Sequence, residues 1–178
     1  NGSTRGARVC AYIDGALIER LEATVRGRSA TLFMALIGVW QTLLSRLSGQ
    51  DDVVVATTVA NRGNSALEEV VGFLVNNVPL RGDLSGAPSF AELLSRTKQS
   101  AFGALRHVDL PFEVLVDTIN PVRTSAHAPI FQTMLSLLNF AAGPTDITGP
   151  GGATVEPVEF EIETARYDLV LDLCKVTI

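Results

Sequence analysis

Long apolar runs are the first thing this sequence lacks. The longest, counting Gly38, is Leu32 to Trp40, and a helix that crosses a membrane needs about 20 such residues. The first ten residues, NGSTRGARVC, hold no apolar segment of the kind that forms a signal peptide. Cysteine is scarce. Cys10 and Cys174 make neither a metal-ligand spacing nor a Cys-x-x-Cys pair. Each sits in an apolar, strand-like run, which predicts buried thiols rather than a disulfide or a nucleophile. These features together predict a reducing, cytoplasmic setting. Lysine is almost missing: of 14 basic residues only Lys98 and Lys175 are not arginine. No basic run exceeds two residues, the formal charge is −5 and the pI is about 5.0. That balance argues against a basic nucleic-acid footprint and against an acidic membrane surface as partner. The arginine bias hints at a GC-rich bacterial genome.

Catalytic signatures are missing as well. There is no Gly-x-Ser-x-Gly elbow, no phosphate-binding Gly-x-x-x-x-Gly-Lys loop and no Gly-x-Gly-x-x-Gly. No His/Cys/Asp cluster suggests a metal. The Arg81-Gly82-Asp83 triplet reads as chance. Glu68–Glu69 and Asp51–Asp52 read as surface and turn charges rather than a carboxylate pair. Only two histidines exist, His107 and His127. His107 has two readings: a general base oriented by Asp109, or a helix-end contact with the last carbonyls. A spacing of two disfavours a His107–Asp109 pair on a helix but not in a turn. His127 reads as a loop residue.

What is present is apolar substance. Apolar residues make up 47% of the 178, and mean hydropathy is +0.28. One domain of this size buries about two-thirds of its unfolded surface. Either nearly every element is buried, or some apolar surface expects a partner.

Helical and strand patterns interleave along the chain. Residues 8–13 predict a short strand. Asp14 then caps a helix to about Val25. Ser29 or Thr31 caps a stronger helix with Leu32, Phe33, Leu36, Ile37, Val39, Trp40, Leu43, Leu44 and Leu47 on its apolar stripe, closed by Gly49. The β-branched run Val53–Val59 predicts a strand covered on both faces. A loop at 61–64, a short helix at 66–71 and a strand at 73–81 follow. Pro88, at or near a first helical position, opens a helix carrying Phe90, Leu93, Leu94, Ala101 and Leu105. Pro111 opens another with Phe112, Val114, Leu115 and Ile119. Residues 130–138 predict a strand, 141–152 a flexible Gly/Pro loop, and 155–162 and 168–178 two half-buried strands. The class is α/β, a single unit over 1–178. The last run, LVLDLCKVTI, reads as stopping in mid-strand.

One stretch resists the bland reading. VGFLVNNVPLR, residues 71–81, places two amides in a strand, where asparagine is depleted. Alternation points Asn76 and Asn77 to opposite faces. One can bond to a neighbouring loop and the other can face a cavity and a ligand; or both are structural.

Four stretches together resemble the C-terminal half of a condensation domain from nonribosomal peptide synthetases. ATLFMALIGVWQTLLSRLSGQDDVVVATTVANR is similar to the family's helix–strand unit ending in Ala-x-Arg, here Ala60 and Arg62. VGFLVNNVPLR resembles the Gly-x-Phe-Val-Asn-Thr-x-x-x-Arg block through Gly72, Val75, Asn76 and Arg81, with Leu74 for Phe and Asn77 for Thr. HVDLPFE resembles His-Gln-Asp-x-Pro-Phe-Glu, with Val108 in place of Gln. RTSAHAPIFQTML is a looser match, at Arg123 and Pro129. The likeness runs over residues 8–175.

The resemblance implies one lobe of the chloramphenicol-acetyltransferase-like fold, a mixed sheet packed with helices. It implies a domain in which an acceptor amine attacks a donor thioester, both substrates tethered to carrier proteins by phosphopantetheine arms, with no other cofactor bound. The family's catalytic His-His-x-x-x-Asp-Gly motif is not in these residues, so no residue here is expected to be catalytic, and the lobe alone is expected to be inactive. By motif position, Asn76, Gly72 and Val75 are expected to line the substrate tunnel. Asn76 would bond to the thioester or amine, and Asn77 would make a structural bond. Arg62, Arg81, His107, Asp109 and Pro111 are expected at the tunnel rim or in structural roles. The implied partners are carrier-protein domains and the N-terminal lobe. Neither nucleic acid nor membrane is expected, and self-association through the exposed lobe interface is. The alternative is a non-catalytic, condensation-like module that recruits partner enzymes or carrier proteins.

Overall fold

Capping side chains and apolar spacing set the helices. The computed structural model describes residues 5–63, 65–67, 69–122, 127–138, 147–148, 154–155 and 163–174. Asp14 accepts from the Ala16 N–H at 2.9 Å and opens α1, Gly15–Arg26. Thr31 accepts from the Met34 N–H at 3.2 Å and opens α2, Leu32–Ser48. Gly49, at φ 72°, closes α2 in the left-handed region that suits glycine. A capping box starts α3, Phe90–Leu105: Ser89 Oγ accepts from the Glu92 N–H while the Glu92 carboxylate accepts from the Ser89 N–H. Pro88 therefore sits one residue before the cap, not at the first helical position. Pro111 is the N-cap of α4, Phe112–Ile119, which Asn120 closes at φ 46°.

The sheet is mixed. β1, Asp52–Val59, pairs antiparallel with β2, Asn76–Asp83, from Asp52 opposite Asp83 to Val59 opposite Asn76. On its other side β1 runs parallel to β3, Thr133–Leu138. Two short strands, β4 (Ile147–Thr148) and β5 (Thr154–Val155), pair separately. β6, Leu169–Cys174, runs parallel to β3, giving the order β2-β1-β3-β6. The α/β class expected from the sequence is observed.

Alternation along β1 builds a core on each face. Val53 and Val55 join Val78, Leu80, Leu84 and Leu135 beneath Ile37 of α2 and Leu93 of α3. Val55, Ile37 and Leu135 are fully buried; burying each such side chain stabilises by about 1.5–3 kcal/mol. Ala56, pointing the other way, packs with Phe131 and Met134, against Phe112 of α4 and Tyr167. The expectation of a strand covered on both faces holds at Val55 and Ala56. A third cluster, Val25, Met34, Ala35, Leu94 and Ala101, joins α1 to α2 and α3.

One polar residue bolts α2 to the sheet. Gln41, 1% exposed, donates through Nε2 to the carbonyls of Leu80 at 3.0 Å and Val53 at 3.4 Å. It lies against Gly82, where a Cβ would fall 2.5 Å from the Gln41 Cδ. The glycine is the space the amide occupies.

Several expectations are corrected. Residues 8–13 form no strand and lie mostly exposed; the backbone pairing near them is a bridge between Arg5 and Thr164. The helix expected at 66–71 is a single 3₁₀ turn, Ser65–Leu67. The strand expected at 73–81 begins at Asn76 and runs to Asp83, because a strand extends only where its partner does, and β1 covers Asp52–Val59. The two asparagines thus open β2 instead of interrupting it. Cys10 and Cys174 are exposed free thiols, not buried ones. Cys10 lies in the unpaired 8–13 segment and Cys174 ends β6, an outer strand among the described ones. Of the loop expected at 141–152 only β4 lies within the described residues. The strand expected at 155–162 lies outside them beyond Val155, as do 175–178 and Arg123.

Candidate functional site

Asn76 stands where three parts of the chain meet. As the first residue of β2 it shares a face with Val78 and Leu80, toward α3. The chain leaving α3 must cross from that face to the opposite one, where Phe112 of α4 packs. Asn76 grips this crossing. Its Nδ2 donates to the carbonyls of Val108 and Leu110, both at 2.8 Å, and its Oδ1 accepts from the Phe112 N–H at 3.1 Å. Both amide hydrogens are thereby used on main chain. With these bonds made, one lone pair of Oδ1 is what remains for any further partner. Asn77, directly opposite Thr58, meets the threonine hydroxyl at 3.5 Å, the outer limit of a hydrogen bond.

The gripped segment forms one wall of an open groove of about 560 Å³, lined by Asn61, Arg62, Gly63, Leu67, Val108 and Asp109. The other wall is held in a similar way. Arg62 Nη1 donates to the carbonyls of Leu67 and Val70, the latter at 2.8 Å, which ties Arg62 to main chain five and eight residues on. Each wall is thus fixed by a polar side chain bonded to carbonyls elsewhere in the chain. Arg62 and Asp109 are the two charged groups in the lining.

The structure brings some expected site residues together and separates others. Arg62 and Asp109 share the groove, Asn76 stands behind Val108, and Pro111 caps α4 beside it. His107 and Asp109 are both exposed, with no ion pair between them, and His107 does not line the groove. The His107 carbonyl instead accepts from the Leu110 N–H at 3.1 Å, in the turn that follows α3. Gly72 has open space around it, and Val75 is 40% exposed, next to Val71 at 101% and Phe73 at 89%. Arg81 is five residues along β2 from Asn76, about 17 Å at strand rise. It belongs to a different, charged groove with Asp51, Asp52, Asp83, Ser85, Arg96, Gln99 and Ser100.

There Arg81 donates from Nε and Nη2 to the Asp52 carboxylate at 2.9 and 2.7 Å, which holds that carboxyl below its ordinary range. Asp83 is lowered chiefly by the Ser85 hydroxyl at 2.6 Å. His127 Nδ1 lies 3.6 Å from Asp168 Oδ2 on the exposed surface. Among the described residues no group of three or more His, Cys, Asp or Glu could hold a metal, and no helix is long and apolar enough to cross a membrane.

Sequence reading missed Asn61, Gly63 and Leu67 in the groove. It also missed that the 71–81 and 107–113 stretches, its two most specific, touch through Asn76.

The sequence profile of the condensation domain matches residues 1–177. The chain belongs to the condensation domain family. It is 41% identical over 164 residues to a linear gramicidin synthase of Brevibacillus parabrevis, covering 90% of this chain and 2% of that protein. It is 39% identical over 171 residues to malpinin synthetase of Mortierella alpina, covering 96% and 2%. The chain therefore spans about 2% of the length of these relatives. Among solved structures it is similar to the X-domain from teicoplanin biosynthesis, with TM-score 0.80 at 25% identity, over 92% of this chain and 36% of that one. The complex of that X-domain with OxyB is similar at TM-score 0.79, over 92% and 35%. This condensation-domain chain thus carries the family's fold together with a groove walled by two of the family-like stretches.

Proposed function

We propose that this chain is one lobe, the C-terminal one, of a domain that joins two carrier-bound substrates through an amide bond. The acceptor amine nitrogen attacks the donor thioester carbonyl, the C–S bond breaks, the donor's phosphopantetheine thiol leaves, and the amine gives up a proton. The carriers and their phosphopantetheine arms are substrates and partners. No histidine lines the groove among the described residues, and the His-His-x-x-x-Asp-Gly motif is not in this sequence, so the proton is handled by the other lobe. This lobe supplies a wall of the channel, with Arg62 and Asp109 in its lining and Asn76 behind it. The observation that carries the reading is the Asn76 junction, which joins the two most specific family-like stretches beside one groove.

The test is complementation. This chain is mixed with a separately expressed N-terminal lobe and both loaded carrier proteins, and amide product is followed by mass spectrometry. Product that requires both halves is the expected result. A correctly assembled pair that makes no amide from its cognate carriers would overturn it. A second reading is favoured by the likeness to an X-domain solved in complex with OxyB: a condensation-like module that recruits an enzyme. Under that reading the assembled pair binds a partner protein tightly and makes no amide.

A further inference from the structure

We infer that Asn76 is a positioning residue: it fixes the 108–112 segment, and with it Asp109, as a wall of the groove, and acts on the groove's contents through that wall rather than by donating to them. The inference deepens the amide-forming reading and rests on it only for its effect on rate.

Three observations carry it. First, the amide is committed to main chain: both hydrogens and one oxygen lone pair bond to Val108, Leu110 and Phe112. Second, these partners are 32, 34 and 36 residues away, so the bonds tie a strand end to a distant connection and are not local turn chemistry. Third, the connection is otherwise thinly held. His107, Asp109 and Leu110 are exposed, Val108 is half-buried against the core below α3, and the backbone bond within the turn is Leu110 N–H to the His107 carbonyl. Asp109 makes no side-chain bond among the described residues, so its place in the groove is set by the backbone on either side, which Asn76 holds.

The chemistry of the grip predicts how two substitutions differ. Asn76→Ala removes all three bonds. Asn76→Asp keeps an acceptor for the Phe112 N–H, at a helix start where negative charge is favourable, but turns a carboxylate oxygen toward two carbonyl oxygens. Aspartate should therefore hold the start of α4 and release 108–110.

The experiment is hydrogen exchange on the complete condensation domain without substrate, with amide-forming kinetics on the same samples. In Asn76→Ala, exchange at Leu110 and Phe112 should rise on the order of tenfold. In Asn76→Asp, Leu110 should accelerate while Phe112 stays protected. Amide formation should fall roughly ten- to a hundredfold in kcat for both, as expected for a displaced wall, with KM changing less. Unchanged exchange at both positions in both variants would overturn the inference, and so would accelerated exchange with wild-type kcat. If the wild-type domain makes no amide at all, the amide-forming reading fails, and the exchange pattern still decides whether Asn76 fixes the wall.

Discussion

At one end of β2 a half-buried amide bonds to main chain 32 to 36 residues away. At the other, the exposed Arg81 guanidinium bonds to the exposed Asp52 carboxylate across the strand pair. Between them Val78 and Leu80 are buried under α2 and α3. The two ends use comparable numbers of hydrogen bonds with different consequences. Backbone groups move only with the chain, so a side chain bonded to them fixes a path. Two long charged side chains on a surface find water readily, so their pairing fixes little. The groove is built at the end where the bonds go to main chain.

With neither end of β2 deeply buried, the middle of the strand should dominate stability. Leu80, 3% exposed, should show it most clearly. Leu80→Ala removes a buried side chain and leaves a cavity, and should cost about 2–5 kcal/mol in urea unfolding of the chain. A loss under about 1 kcal/mol would mean that the core relaxes around the site, and that the strand is not anchored where its burial indicates.

A smaller effect is expected at Gly82. Its missing side chain is the space filled by Gln41, with a Cβ position 2.5 Å from the amide carbon. Gly82→Ala must push Gln41 off the Leu80 and Val53 carbonyls, an overpacking cost of about 1–3 kcal/mol. Pairing it with Gln41→Ala should recover part of that loss, because the two changes compete for one space. Additive losses in the double variant would show that the alanine strains the strand itself.

These positions also mark what the sequence made legible. The α2 helix was legible from end to end, because Thr31, the apolar spacing and Gly49 all lie within the segment they define. β1 was legible from its β-branched run. β2 was legible in kind but displaced, since its ends follow the length of β1 and that is a property of the pair. The residues 66–71 carry an apolar pattern suited to a helix, yet the described residues hold one 3₁₀ turn, Ser65–Leu67, and Arg62 bonds to the carbonyls of Leu67 and Val70. The Ser89–Glu92 capping box was readable and sharper than Pro88 as a start signal. In the site, the motif pointed to Asn76 and missed its partners: no local pattern says that an amide at 76 meets carbonyls at 108 and 110. Long-range hydrogen bonds are set by packing, and no stretch of sequence read by itself shows them.

The smallest expected effect belongs to Arg81→Gln, and its sign follows from Asp52. The Arg81 hydrogen bonds, and then its charge, lower the folded-state pKa of Asp52 below the ordinary 3.8. A carboxyl depressed on folding contributes stability that is fully present above its unfolded pKa and is lost as pH falls through the folded value. Wild type should therefore exceed Arg81→Gln slightly near neutral pH, and the gap should close as the pH falls below the ordinary 3.8. With side chains 75% and 57% exposed, most of the attraction is screened, so the gap should also close near 1 M salt, where the Debye length is about 3 Å. Urea unfolding at both pH values, in low and high salt, checks all of this. A gap that survives acid and salt would mean that Arg81 holds the strand end by packing of its stem over the pair. The two ends of β2 would then differ in degree rather than in kind.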